Sequence, residues 1–295
     1  MTTVNILGVR VDNVSMDEAV DMFYSMIRKG SEKQVICTPN SEFIVDAQKQ
    51  PVFKNILNES TLSIPDGNGL RFAAKFLNET AKKNYGILNF FTGLKIGLLG
   101  FLSDSYLDVL SHTVTGVDFI HSVFSDPRSK GLTVSVIGTK YLDGSDSATQ
   151  AISAFKKTYP LVTFVSGTYG RSQVGDNQFT SRDLDSVTAD ILQAQKDQKI
   201  ERIDLLLVAL GHIRQELLIK DMIDKVSCSV LIGVGGLLDF IRGSKRRAPI
   251  IIRLLKLEWV FRLLVEPTPW RFQRILKAYF RFCWLVYTYS FKKVN

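Results

Sequence analysis

Short apolar runs alternate with stretches of helical periodicity along most of this chain. Asn5–Val11 reads as a first strand. Over Met16–Arg28 the apolar residues Ala19, Val20, Met22, Phe23, Met26 and Ile27 fall on one helical face, and Ser15 stands where an N-cap belongs. Gln34–Cys37 is a buried strand running into Thr38-Pro39-Asn40. Helices are predicted over Ser41–Lys49 and from Pro51 through Leu57. Leu62–Ile64 is the next strand. It stops at Pro65-Asp66-Gly67-Asn68-Gly69, and an apolar helical pattern resumes at Leu70. Thr113–Asp118 opens another helix. Strands follow at Leu132–Ile137, Val162–Val165, Ile203–Leu210 and Ser229–Ile232, with helices at about Ser145–Tyr159, Ser181–Lys196 and Arg214–Val226. Strands that alternate with helices build a parallel sheet with right-handed crossovers, so the expected class is α/β, a Rossmann-like sheet flanked by helices.

Two stretches break the pattern. Gly86–Leu102 (GILNFFTGLKIGLLGFL) holds 17 residues with Lys95 as its only charge and four glycines. It is short for a spanning helix. Such a run suits a buried core helix or hydrophobic loop, or else a membrane-dipping or oligomer-forming hairpin. The second stretch is the C-terminal fifth. From Arg242 to Asn295 there are 13 basic residues and two acidic ones, a net +11, which leaves −3 for the remainder of a chain whose total is +8. In Trp270–Phe291 the bases Arg271, Arg274, Lys277 and Arg281 recur at helical spacing among aromatic residues. Basic residues interleaved with aromatics fit a helix at a membrane interface; the plainer reading packs those aromatics on the domain. The expected organisation is therefore a Rossmann-like domain over residues 1–241 and a basic helical appendage over 242–295.

Candidate chemistry centres on Asp66. A strand-to-helix turn in an α/β sheet lies at the carboxyl end of the strand, where ligands bind. The flanking glycines let the backbone turn sharply there. Taken alone, the motif also fits a plain turn or helix cap. Glycine-rich turns are expected at Gly167–Gly170, Gly211 and Gly233–Gly236, where helix N-termini offer N–H donors to phosphate. No GxGxxG follows the first strand and no GxxxxGK[ST] occurs, so a standard dinucleotide or P-loop site is not indicated. Asp183-Leu184-Asp185 reads as helix-start acids and not as a metal motif. The three histidines lack ligand spacing. The three cysteines, Cys37, Cys228 and Cys283, form no disulfide framework, which points to a reducing compartment. The N-terminal residues carry no secretory-signal pattern.

Several of these motifs occur together: Thr38-Pro39-Asn40 before Pro65-Asp66-Gly67-Asn68-Gly69; Thr115-Gly116-Val117-Asp118; Ala209-Leu210-Gly211 with Gln215-Glu216; Gly233-Val234-Gly235-Gly236 with Asp239-Phe240; Gly243 with Arg247-Ala248-Pro249; and Leu257-Glu258-Trp259 with Arg262-Leu263 and Glu266-Pro267. In order and spacing they resemble the WecG/TagA/CpsF glycosyltransferases over most of the chain. The resemblance implies a metal-independent inverting transferase without a cofactor. It would move a sugar, N-acetylmannosamine or a relative, from a UDP-sugar to an undecaprenyl-diphosphate-linked acceptor at the cytoplasmic face of the membrane. Asp66 matches the family's general base. Thr38 and Asn40 match residues of the same pocket, and Gln215 a polar residue near it. Asn68, Gly116, Asp118, Gly211 and Glu216 are further substrate-binding positions. Gly235, Asp239 and the turn holding Gly167 and Tyr169 are candidates for nucleotide contacts. Arg247, Arg262, Arg271 and Arg274 are candidates for a diphosphate. The membrane surface is an expected partner, through the tail and possibly residues 86–102; a homo-oligomer is left open and no nucleic acid is expected.

The chain departs from the family pattern at four places. Relative to that pattern, roughly thirty residues within 78–111 form a hydrophobic insertion. His212-Ile213-Arg214 replaces a Pro-Lys before Gln215-Glu216. Ser111-His112-Thr113 stands where an arginine precedes the Thr115 segment. Arg171-Ser172 replaces a Tyr-Phe. Rival readings are the same fold using UDP-glucose or another donor, a non-catalytic membrane-bound assembly protein, and a nucleic-acid binder that uses the basic tail.

Overall fold

The computed structural model of the chain describes residues 2–29, 33–82, 86–175, 178–244, 248–249, 252, 258–265 and 267–292. A seven-stranded sheet runs through it. Its strands are β3 (Gln34–Cys37), β4 (Leu62–Ser63), β5 (Thr133–Lys140), β6 (Thr163–Gly175), β7 (Gln178–Ser181), β8 (Ile203–Val208) and β9 (Cys228–Gly233), in the spatial order β4-β3-β9-β8-β5-β6-β7. All neighbours pair in parallel except β6 and β7. The chain fills the sheet outward from β3 to β4, jumps to β5 and β6, and returns to place β8 and β9 in the centre. The central strands are apolar on both faces, as a sheet covered by helices requires.

On one face, α1 (Met16–Lys29), α6 (Gly116–Ser125) and α7 (Ser147–Thr158) close a core around Phe23, Phe119 and Phe155. Ser15 caps α1 as its sequence signals: its Oγ accepts from Glu18 N–H, and Glu18 returns the bond to Ser15 N–H. On the other face, α8 (Leu184–Asp197) and α9 (Arg214–Met222) cover β8. Beside them lie α2 (Ser41–Ala47), α3 (Pro51–Glu59) and α4 (Asn68–Lys82). Asp183 caps α8 by accepting from Ser186 N–H, as expected of a helix-start acid.

Three expectations change. The first strand is a hairpin, β1 (Thr2–Ile6) and β2 (Val9–Asn13), outside the main sheet. Leu7 and Gly8 form its two-residue turn at φ 52° and 81°, the paired positive values of a type I′ turn. Leucine seldom takes that conformation, so the turn is silent in the sequence. Second, Gly167–Gly170 is not a turn but the middle of β6, which continues to Gly175 and folds back as β7. A Cβ on Gly167 would lie 2.8 Å from Ile152 of α7. The glycine admits the helix, not a ligand. Third, Gly86–Leu102 is no hairpin. After a turn at Gly86–Leu88 it is one helix, α5 (Asn89–Leu102). Ile96 and Gly100 face inward, while Phe90, Phe91, Leu94, Leu98 and Leu102 are exposed. The segment that follows α5 is pinned to α4 by Arg71–Asp104 at 2.9 Å and Lys75–Asp108 at 3.0 Å.

The tail folds as helix Pro269–Leu276, a π-helical turn Lys277–Arg281 and helix Phe282–Lys292. It divides its apolar residues. Phe282 and Val286, one turn apart, join the core of α2 and α4, with Phe282 only 3% exposed. Phe280 and Trp284 are 71% and 64% exposed. Part of the tail's aromatic set thus packs on the domain, as the plainer reading has it, and part is exposed. Among the described residues no helix is long and apolar enough to cross a membrane.

Candidate active site

The parallel strands all end at one edge of the sheet, and their carboxyl ends frame a cleft of about 2170 Å³. Asp66 sits there because backbone pairing continues past the last strand residues. Ile64 N–H donates to Cys37 O at 2.8 Å and Asp66 N–H to Pro39 O at 2.9 Å, while Val114 N–H donates to Pro65 O at 2.9 Å. Gly67, at φ 100°, then turns the chain into α4. Thr38, Asn40, Asp66, Asn68, Gly116 and Asp118 all line this part of the cleft. Thr38 is buried beside Gly116 at the start of α6. Asn40 Oδ1 accepts from Glu42 N–H at 2.9 Å and Phe43 N–H at 3.2 Å, so Asn40 is the N-cap of α2 as well as a cleft residue. Asp118 accepts from Thr115 Oγ1 at 2.8 Å, closing the cap of α6.

The opposite wall comes from the ends of β8 and β9. Gly211, Gln215, Gly235 and Asp239 line it. Gln215 is buried against Gly233; its Oε1 accepts from Gly235 N–H at 3.0 Å, and its Nε2 donates to Glu216 Oε1 at 2.7 Å. Glu216 also accepts from Ile213 N–H at 2.6 Å. The sequence expectation put Glu216 among substrate contacts. The structure buries it behind the wall, where it braces Gln215 and the start of α9. Burial pushes its carboxyl up to about 7. Asp239 is held by Arg242 at 3.0 Å.

The tail closes the remaining side. Arg274 grips Glu42 of α2 with Nε and a terminal nitrogen at 2.8–3.0 Å. Lys277 and His212 both reach Asp46 Oδ2, at 2.5 and 2.8 Å, and His212 stacks on Phe43. Burial raises the Asp46 carboxyl, but hydrogen bonds from His212 and Lys277 outweigh it and hold the group below its ordinary value. Phe282 approaches Gly69 beside Asp66. Arg274 thus lines the cleft, with its guanidinium engaged by Glu42. Arg247 and the side chains of Arg262 and Arg271 lie outside the described residues. Gly167 and Tyr169 do not line the cleft. The Tyr169 ring is covered by Lys140 and Arg182 instead.

The cleft has two chemical ends. Around Asp66 it is polar. Away from the sheet its walls are α5, through Phe90, Phe91 and Leu94, and the tail, through Phe280, Trp284 and Tyr287. Among the described residues no three His, Cys, Asp or Glu side chains gather as metal ligands would.

The chain matches the Glycosyl transferase WecG/TagA/CpsF family over residues 4–94 and 105–295. It belongs to that family. It is 22% identical over 264 residues to the N-acetylglucosaminyldiphosphoundecaprenol N-acetyl-beta-D-mannosaminyltransferase of Staphylococcus aureus strains NCTC 8325 / PS 47 and COL, covering 89% of this chain and 85% of each relative. The protein of the same name from strain MRSA252 shows the same identity and coverage. This WecG/TagA/CpsF chain is a glycosyltransferase, and the segment between the two matched stretches, 95–104, spans the second half of α5 and the two residues after it.

Among the cleft residues of this family member that sequence reasoning missed are Thr139, Tyr141, Arg171 and Arg214. Arg171 and Arg214 stood in view as departures from the family pattern. Their meeting at the cleft depends on β6 running on past the glycines that read as a turn.

Proposed function

We propose that this glycosyltransferase moves N-acetylmannosamine or a related sugar from a UDP-sugar to an N-acetylglucosaminyl-diphospho-undecaprenol acceptor, with inversion. The observation that carries the reading is a cleft with Asp66 at a polar end and two apolar helices at the other. A lipid-linked saccharide has that same division: a polar sugar and diphosphate, then hydrocarbon. Asp66, as general base, takes the proton of the acceptor hydroxyl while that oxygen attacks the anomeric carbon. The bond to the UDP oxygen breaks on the opposite face, and UDP departs as an anion. Protein cations and N–H donors meet its charge, without a resident metal. The relatives' shared name supports the acceptor and the sugar. The exposed apolar residues of α5 and the tail support a working position on the inner membrane surface, where such an acceptor would lie.

The test is UDP release from a panel of UDP-sugars with short-chain lipid-diphosphate-GlcNAc acceptors. Acceptor-dependent release is expected, reduced about 10²-fold or more in Asp66→Asn, the order of effect of losing a positioned base. Release that ignores the substitution removes Asp66 from this role. No release with any donor removes the reaction.

A further inference from the structure

Two of the chain's departures from its family pattern meet in space. Arg171, on β6, and Arg214, at the first turn of α9, both line the cleft at the ends of the central strands. Arg171 is fixed in place. Its Nε donates to Thr139 Oγ1 at 2.9 Å, and its guanidinium lies over the Phe179 ring at 4.3 Å. Burial and the nearby Arg214 both work against its charge and lower its pKa from the ordinary arginine value. Elsewhere in the molecule, Arg71, Arg128, Arg182, Arg242 and Arg274 each face a carboxylate at hydrogen-bond distance. Among the described residues neither Arg171 nor Arg214 forms such a pair. Asp239, whose charge acts on Arg171, is already bonded to Arg242. Arg171 is partly buried and Arg214 exposed on the cleft wall, and their mutual repulsion is relieved when an anion joins them. Guanidinium groups offer planar pairs of donors matched to phosphate oxygens.

We infer that Arg171 and Arg214 form a two-guanidinium clamp for a substrate diphosphate. The inference rests on the glycosyl-transfer reading for its ligand, and two sources share that chemistry: the UDP of the donor and the lipid diphosphate of the acceptor. A clamp on the donor draws off the charge that develops on departing UDP. A clamp on the acceptor sets its sugar against Asp66.

The test is calorimetric binding to the full-length protein, with no turnover required. Inorganic pyrophosphate, UDP and a short-chain lipid diphosphate are titrated into wild type, Arg171→Gln, Arg214→Gln and Arg171→Lys, each first checked for an unchanged melting profile. Each glutamine variant is expected to lose about ten- to a hundredfold in pyrophosphate affinity, the range for a charged hydrogen bond. Arg171→Lys is expected to recover part of that loss, since it restores charge without the paired donors. Wild-type affinity should fall as salt is raised. A parallel loss for UDP assigns the clamp to the donor, and one confined to the lipid diphosphate assigns it to the acceptor. Pyrophosphate that fails to bind wild type, or binds all variants equally, overturns the clamp. A clamp intact in a protein that releases no UDP leaves this inference standing and the proposed reaction fallen.

Discussion

At the scale of single residues, buried acids carry the clearest consequences. Glu216 has a folded pKa near 7 against an ordinary 4.5, so folding favours its protonated form. Below about pH 4.5 its contribution to stability is complete. As pH rises towards 7 the unfolded chain ionises first, and stability falls by at most about 1.4 kcal/mol per pH unit. Urea midpoints measured from pH 5 to 8 should therefore decline more steeply in wild type than in Glu216→Gln; parallel curves would contradict the assignment. Asp46 behaves oppositely. Its folded value is depressed, so its partnership with His212 and Lys277 is held above the ordinary carboxylate range and lost as pH falls below it. Asp66, Thr38 and Asn40 were legible because local turn chemistry and a fixed order of motifs place them. The cap of α2 by Asn40 and the brace of Gln215 by Glu216 depend on partners that spacing alone does not reveal.

At the scale of elements, the tail helix and α5 are held differently. The tail combines two ion pairs with α2 and two core side chains. Phe282→Ala should cost about 3 kcal/mol or more. It should also speed hydrogen exchange across residues 282–292 more than across β8; uniform protection would show that the tail does not dock through Phe282. Arg274→Gln leaves Glu42, itself buried, without its bidentate partner, and should loosen the same segment. The central strands and most helices could be read from periodicity, since burial on one or both faces writes itself into the pattern. The β1–β2 hairpin and the length of β6 could not. One depends on a leucine at positive φ, the other on glycines that serve helix packing and look like punctuation.

At the scale of the whole molecule, exposed apolar residues gather on two neighbouring elements. In the sequence the net positive charge belongs to residues 242–295, and the helix Phe282–Lys292 packs beside α5. Leu98, Leu102 and Phe272 are exposed and outside the cleft. Serine at all three should reduce partitioning onto phosphatidylglycerol vesicles by about tenfold or more, given about 1.5–3 kcal/mol for each buried side chain, and leave UDP binding intact. Unchanged sedimentation with vesicles would separate this surface from lipid. The apolar run was visible in the sequence, but not its shape, because the inward stripe of α5 is set by its packing against Phe72 and Phe76 of α4 and against Leu107. One consequence concerns the order of synthesis. Arg274 meets Glu42 across 232 positions of chain, and Phe282 lies further on still. The first half of the protein therefore leaves the ribosome with the wall beside Asp66 missing. Its apolar floor stays bare until the final helix arrives, a window in which a chaperone or the lipid surface itself is the natural cover.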